Sequence, residues 1–471
     1  MGKTNHPLHR LEEYVPDSNI GIEEYESYIG RERVGELKRL AEPLEGKGWA
    51  NINSTLMGGG VAEILRSVIP LARGLGIKAS WCVIEGEDDF FQVTKKFHNL
   101  LQGINDSISL DEIFGAYLDT IDENSQNTFI ASDMVVIHDP QPVAMVMKGV
   151  ILGNVLWRCH IDTTNPDQII WRFILPYINH YAGAIFTMPE FIHSGIKIPL
   201  YQVFPCIDPR AEKNHQYSDQ EALDVLTPLF NEYNVDHERP ILAAISRYDI
   251  HKNQGTILKA FKHLREERKS NPPPYLIFLG NTATDDPEGG AMLEKLKKQA
   301  GDDPDIRFWV NVENNDQVVG ALMHIARGFI HVSTREGFGL VVSEALWQGT
   351  PVIGSSIGGV TAQVLDGKTG FIVDPMGVDA IASKMARLID SPEEATGLGV
   401  QGREHVRQHF LLPELIRRYL MMLRYYTNVD RRMPEFRLND LTYSEVIDVV
   451  RDKHLYLYNQ RNLRPNWTRD Y

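Results

Sequence analysis

Two glutamates eight residues apart frame the stretch Thr334-Arg335-Glu336-Gly337-Phe338-Gly339-Leu340-Val341-Val342-Ser343-Glu344-Ala345. An apolar run ends at Val332, and a helical pattern opens near Gly339. A helix start offers free N–H groups and a positive dipole end, which together suit a phosphate. The glycines let backbone come close to a ligand and tolerate positive φ. Glu336 in the loop and Glu344 about one turn into the helix can grip different hydroxyls of one extended ligand. The same pattern also reads as a solvated loop carboxylate followed by one on a helix surface.

Cations stand in a second turn, Ser246-Arg247-Tyr248-Asp249-Ile250-His251-Lys252-Asn253. Arg247 leaves the end of a strand and Lys252 precedes a helix. They suit a departing phosphate, on which charge builds as a bond breaks; taken alone they are two surface cations. Gly58-Gly59-Gly60, between the first strand and a helix, reads as a phosphate or sugar turn without the G-x-G-x-x-G spacing. Two more strand ends carry polar groups, His138-Asp139-Pro140-Gln141-Pro142 and Trp157-Arg158-Cys159-His160-Ile161-Asp162. Arg158 and His160 share a face by strand alternation, although a lone His there is more often a satisfied core residue. Asp303-Pro304-Asp305 is nominally D-x-D but sits in an acidic turn before a strand, and no metal site is assigned. No Ser-His-Asp arrangement has supporting context.

The elements that must position these residues alternate along the chain. Short apolar runs predict strands near 50–53, 79–84, 134–137, 155–160, 184–187 and 201–204, with amphipathic helices such as 61–75 and 90–101 between them. The pattern stops at Pro205-Cys206-Ile207-Asp208-Pro209 and resumes with strands near 241–246, 275–279, 306–310, 329–332, 351–353 and 371–373. Residues 378–427 read as almost continuous helix. The expected fold class is α/β: a doubly wound domain over 1–209, another over 210–411, and a segment 412–471 with a helix returning to the first domain. In such folds ligands bind at the carboxyl ends of the strands.

A chain of 471 residues with 43% hydrophobic and 24% charged residues is an ordinary globular protein of two or three domains. Its formal charge of −15 disfavours nucleic acid and anionic membranes as partners. No apolar run reaches the roughly 18 residues a membrane span needs, and Met1–His6 lacks the apolar core of a signal peptide. Three scattered cysteines point to a reducing compartment, so a cytoplasmic location is expected.

The stretch E-G-F-G-L-x-x-x-E followed by A-L-W-x-G-x-P-V-I resembles the E-x7-E signature of retaining nucleotide-sugar glycosyltransferases with the GT-B fold, two Rossmann-like domains facing across a cleft. The resemblance implies that Glu336 meets sugar hydroxyls and Glu344 the ribose. It implies that the amides across Gly337, Phe338, Gly339 and Leu340 meet the diphosphate, and that Arg247 and Lys252 neutralise it. Gly59 and Gly60 match the family's glycine loop on the donor side. His160 matches its residue against the donor sugar, and Asp139 its acceptor residue, with Arg158 able to reach the same place. Together with F-F-Q-V-T-K-K-F-H-N-L-L-Q-G and F-P-C-I-D-P, these segments are similar to the glycosyltransferring trehalose synthases and to retaining trehalose phosphorylases. Transfer of glucose from a nucleoside diphosphate glucose to glucose, giving α,α-trehalose with retention and without a required cofactor, is then expected. The implied ligands are a nucleotide sugar and glucose or trehalose, with a homodimer left open. The competing readings are a phosphorylase and a catalytically silent sugar-nucleotide binder.

Overall fold

Runs rich in Val, Ile and aromatic residues, closed by Gly, Asn or Asp turns, fold as buried parallel strands because both faces of each sheet are covered. The computed structural model describes residues 11–56, 59–104, 106–126, 128–267, 273–282 and 287–438. Gly58 of the glycine turn and the tail from 439 onward lie outside the described residues.

The first sheet holds β1 (Glu12–Tyr14), β2 (Gly48–Asn53), β3 (Lys78–Val83), β4 (Ile130–His138), β5 (Ile151–Cys159), β6 (Gly183–Phe186) and β7 (Leu200–Gln202), in the order β1-β3-β2-β4-β5-β6-β7. All neighbours are parallel except β1, which runs antiparallel along β3. This edge strand has no counterpart in the apolar pattern: Glu-Glu-Tyr is short and charged, and only pairing with β3 makes it a strand. β4 and β5 each begin four residues before their apolar runs, where a register shift between Ala131 and Met134 leaves half-exposed residues in the ladder. The second sheet holds β8 (Ile241–Ile245), β9 (Tyr275–Gly280), β10 (Ile306–Val310), β11 (Gly328–His331), β12 (Val352–Ser355) and β13 (Gly370–Val373). Its order is β10-β9-β8-β11-β12-β13, parallel throughout. Counted from β8, that is the strand order 3-2-1-4-5-6 of a dinucleotide-binding sheet.

In each sheet the chain reverses direction beside one strand. β2 continues to β3 on one side and meets β4 on the other; β8 continues to β9 and meets β11. Loops leaving the carboxyl ends at such a point diverge and open a crevice.

The described residues group into two units. One comprises the chain to Ile22, Glu36–Phe204 and the chain from Ile416; the other comprises Glu23–Gly35 and Pro205–Leu415. Glu23–Gly35, read from the sequence as part of 1–209, packs with the second unit, where Tyr25 donates to Asp208 at 3.2 Å and Arg33 pairs with Glu414 at 3.1 Å. The helical stretch 378–427 is three helices, Val378–Asp390, Pro392–His409 and Leu412–Tyr426. Pro392 drives Ser391 out of helical geometry. Phe410 and Leu412 instead bond Ile207, with Ile207 N donating to Phe410 O at 2.9 Å and Leu412 N to Ile207 O at 2.8 Å. The last helix lies within the first unit from Ile416 onward. There the Tyr419 ring packs at a tilt on Trp49, centroids 4.6 Å apart, and Arg418 donates to Gln202 O at 3.0 Å.

Among the described residues no helix is long and apolar enough to cross a membrane. The segment 90–103 is mostly an amphipathic helix (Asp88–Leu101) that buries Phe90, Val93, Phe97, Leu100 and Leu101. His98 spends its ring on Gln102 at 2.8 Å, a local role. Asp303 and Asp305 are ion-paired with Arg265 and Arg239.

Candidate active site

In the second unit the turn after β8 is tied to the loop after β11. Asp249 caps the turn by accepting from His251 N at 2.7 Å, and Asn253 adopts a left-handed φ of 56°. Asn253 donates to Val332 O at 3.1 Å, while Thr334 N donates to His251 O at 2.8 Å. These bonds carry Lys252 to Glu336, where Nζ lies 2.7 Å from Oε2. His331 Nε2 is 2.8 Å and Ser333 Oγ 3.3 Å from the same oxygen. Three donors therefore converge on one carboxylate oxygen, and among the described residues none reaches Oε1.

Burial alone would raise the Glu336 carboxyl, but the Lys252 ammonium and the His331 hydrogen bond hold it well below the usual carboxylate range. Burial lowers His331, against the pull of Glu336, so its ring is neutral and donates from Nε2. His331 and Ser333 are functional neighbours that the sequence reading missed. A histidine closing a strand five residues before Glu336 carries no pattern of its own.

Gly339 caps the helix Leu340–Trp347 with φ 76°, a conformation that glycine adopts without strain. Its helix start has no side-chain cap. Phe338 is buried against Phe410, ring centroids 5.6 Å apart, a burial worth about 1.5–3 kcal/mol that anchors the loop. Its side chain thus faces the core, and at Phe338 only backbone is available to a ligand. Buried Gln363 donates to Phe338 O at 2.5 Å and accepts from Ser343 at 2.6 Å. A Cβ at Gly359, after β12, would stand 2.4 Å from Phe338 Cα, so this close approach requires a glycine there. Glu344 is buried and pairs with Lys213 at 2.7 Å, not with the Glu336 group. Arg247 is exposed, and no hydrogen bond or ion pair of its side chain joins it to that group among the described residues.

In the first unit the ends of β4 and β5 build a second cluster. Asp139 takes a left-handed φ of 63° and accepts from His160 N at 2.8 Å. Its carbonyl accepts from Trp157 Nε1 at 3.0 Å, and Pro140 O accepts from buried Tyr117 at 3.3 Å. Arg158 is 1% exposed; its Nε donates to His160 Nε2 at 3.2 Å and Nη2 to Val203 O at 3.0 Å. Nη1 is buried without a partner among the described residues, and Tyr419 lies 5.9 Å below the guanidinium. Burial pushes the Asp139 carboxyl up to about 7, against the opposing pull of the His160 N–H and Arg158. Burial and the nearby Arg158 charge hold His160 well below its ordinary value. Asp139, Arg158 and His160 are thus brought together, while Gly59 and Gly60 open the exposed start of the helix Gly59–Gly74.

Residues 51–193 match the family described as trehalose synthase, N-terminal domain, and residues 227–405 match glycosyl transferases group 1. The chain is 38% identical over 406 residues to the trehalose synthase of Pyrococcus horikoshii, covering 85% of this chain and 95% of that protein. It belongs to the trehalose synthase family. A trehalose phosphorylase of Grifola frondosa is more distant, 24% identical over 82% of this chain and 58% of its own length. A trehalose-phosphate synthase from Burkholderia xenovorans superposes with a TM-score of 0.63 at 15% identity, over 80% of this chain and all of that one. That likeness concerns the fold, which is GT-B, with two Rossmann-like units as the sequence resemblance implied. Trehalose synthase family membership makes the chain a hexosyltransferase.

Two titrations follow from these charges. Asp139→Asn keeps the acceptor oxygen and tolerates positive φ, but cannot ionise. The raised carboxyl favours the folded state below about pH 4, and that contribution is lost as pH rises through about 7. Wild type should therefore lose stability relative to Asp139→Asn between about pH 4 and 7, measured by thermal unfolding. Equal melting shifts at every pH would contradict a buried, ionising Asp139. Glu336 has the opposite sign: its depressed carboxyl stabilises the fold above its unfolded value of about 4.3 and less as pH falls. The stability advantage of wild type over Glu336→Gln should shrink as pH is lowered from about 6 to 3.

Proposed function

We propose that this protein transfers glucose with retention from a nucleoside diphosphate glucose to glucose, forming α,α-trehalose reversibly. Family membership over most of the chain supports this reading, and the Lys252–Glu336 group at the switch point of the second sheet carries it. In this reading Glu336 offers Oε1 to the donor sugar's hydroxyls, its charge state held by Lys252 and His331. Lys252, Arg247 and the backbone at Gly337–Leu340 take the diphosphate, with Gly59 and Gly60 also on the donor side. Glu344, oriented by Lys213, takes the ribose. His160 lies against the donor sugar, while Asp139 and Arg158 hold the acceptor.

Retention here needs no protein nucleophile. The leaving phosphate departs on the face from which the acceptor hydroxyl attacks, and a phosphate oxygen takes the hydroxyl proton. Arg247 and Lys252 bind more strongly as negative charge moves onto that phosphate, so their effect belongs in kcat. They are not equivalent. Lys252 also balances a buried carboxylate, so its removal leaves a charge unpaired and costs about 3–5 kcal/mol of stability as well as activity. Arg247 is exposed, so truncating it tests the phosphate role cleanly. Arg247→Ala should fold normally and lose about 10²–10³ in kcat, or ~2.7–4 kcal/mol. A folded variant with normal kcat and weaker donor binding alone would remove Arg247 from the leaving-group clamp.

The decisive assay supplies a panel of nucleoside diphosphate glucoses with glucose as acceptor and identifies the product. A non-reducing disaccharide is expected, with turnover undiminished by EDTA. A reducing product, or trehalose breakdown that requires inorganic phosphate in place of nucleoside diphosphate, would overturn the proposal.

A further inference from the structure

His138 ends β4 and is 3% exposed, yet both ring nitrogens are engaged by polar side chains. Its Nδ1 lies 2.9 Å from His160 Nε2, and the two rings are nearly parallel, centroids 5.2 Å apart at 18°. Its Nε2 lies 3.1 Å from the side-chain amide of Asn51, itself fully buried on β2. Any buried imidazole needs hydrogen-bond partners; the partners of this one form a chain running from β2 through β4 to the residue after β5. Three adjacent strands at the switch point of the first sheet are joined by it.

The polarity of the chain follows from Arg158. Its Nε–H is a permanent donor, and it points at His160 Nε2 from 3.2 Å. That nitrogen must present its lone pair, so neutral His160 carries its proton on Nδ1. His138 then supplies a second N–H to the same nitrogen, from its own Nδ1. His138 Nε2 is then an acceptor, so the Asn51 amide must turn its Nδ2 to it in place of the Oδ1 placed there, exchanging for this bond the long 3.4 Å contact of Nδ2 with Ser80 O. Burial and the Arg158 charge lower His138 to about 3, which keeps this ring neutral too. Among the described residues nothing hydrogen-bonds His160 Nδ1, so the nitrogen left to a substrate is an N–H donor.

We infer that His138 is a positioning residue for His160, holding the ring by Nε2 so that Nδ1–H is presented to the sugar. The inference rests on the proposed role of His160 beside the donor sugar. It adds a residue whose effect reaches substrate only through another side chain. If His138 were only core filling, an aromatic ring of similar size would replace it without kinetic consequence.

The test uses the full chain. Selective ¹⁵N-histidine NMR, with His160 identified by its loss in His160→Gln, should show Nδ1 protonated and Nε2 unprotonated in wild type; the reverse tautomer overturns the inference. His138→Phe keeps a flat ring but removes both nitrogens. It should lower kcat about tenfold to a hundredfold, with donor KM within about twofold, and the His160 signals should lose their single tautomer. His138→Gln, which restores an N–H donor, should recover part of that loss and serves as the variant if His138→Phe does not fold. Normal kcat in folded His138→Phe, or a change in KM alone, overturns the inference when His160→Ala is itself crippled. If instead His160→Ala turns over normally, the underlying assignment of His160 has failed, a result distinct from failure of the positioning role.

Discussion

The second unit's site depends on one carboxylate oxygen. Oε2 of Glu336 receives Lys252, His331 and Ser333 within 2.7–3.3 Å, and these donors arrive from the turn after β8 and the end of β11. An ion withdrawn from water is tolerated only when its partners are close and well aligned, so the carboxylate and the two loops constrain one another. Loops that leave adjacent strands at a switch point would otherwise splay apart. Here the ion pair and the Asn253 and Thr334 bonds close the floor of the crevice. In a chain of net charge −15 it also places a lysine beside the uncapped glycine turn that the E-x7-E spacing marks out.

The first unit meets the same topological situation with different chemistry. Its buried cation, Arg158, has no carboxylate at hydrogen-bond distance among the described residues; it is held by a carbonyl, an imidazole and an aromatic face. Asp139 nearby has its carboxyl pushed towards neutrality by burial. The cluster is therefore less a charge pair than a run of oriented dipoles, suited to a neutral, hydroxyl-rich ligand.

Small residues do much of the positioning. Gly339 turns the chain with positive φ at the start of the helix Leu340–Trp347, and Gly359 lets the loop after β12 lie against Phe338. Gln363 and Phe410 fasten that loop from beneath. Backbone amides directed in this way need no reorganisation when charge develops in front of them.

The succession of strands and helices, the motif and the family were legible in the chain because they depend on local periodicity and spacing. Alternating apolar runs mark buried strands, and E-x7-E across a strand–turn–helix is a pattern within a dozen residues. The edge strand Glu12–Tyr14 was not legible, since its three residues become a strand only through a partner some seventy residues away. The breaks at Ser391 and Leu411 in the final helices were partly legible, the first from Pro392, the second only through Ile207. The candidate residues are brought together only in part. Asp139, Arg158 and His160 do meet, because β4 and β5 are adjacent and their ends are in register. Lys252 meets Glu336, a pairing set by β8 lying beside β11, and Glu344 turns instead to Lys213. His331, Ser333 and Asn51 had no pattern to betray them, and His138 stood out only as the first residue of the polar strand end His138–Pro142. Each is a single polar residue closing or lining an apolar strand, and whether it is a satisfied core group or part of a site depends on what the neighbouring strand carries. Sequence by itself determined which chemistry the chain holds; the lateral order of strands, a long-range outcome of burying both sheet faces, decided which groups act on one another.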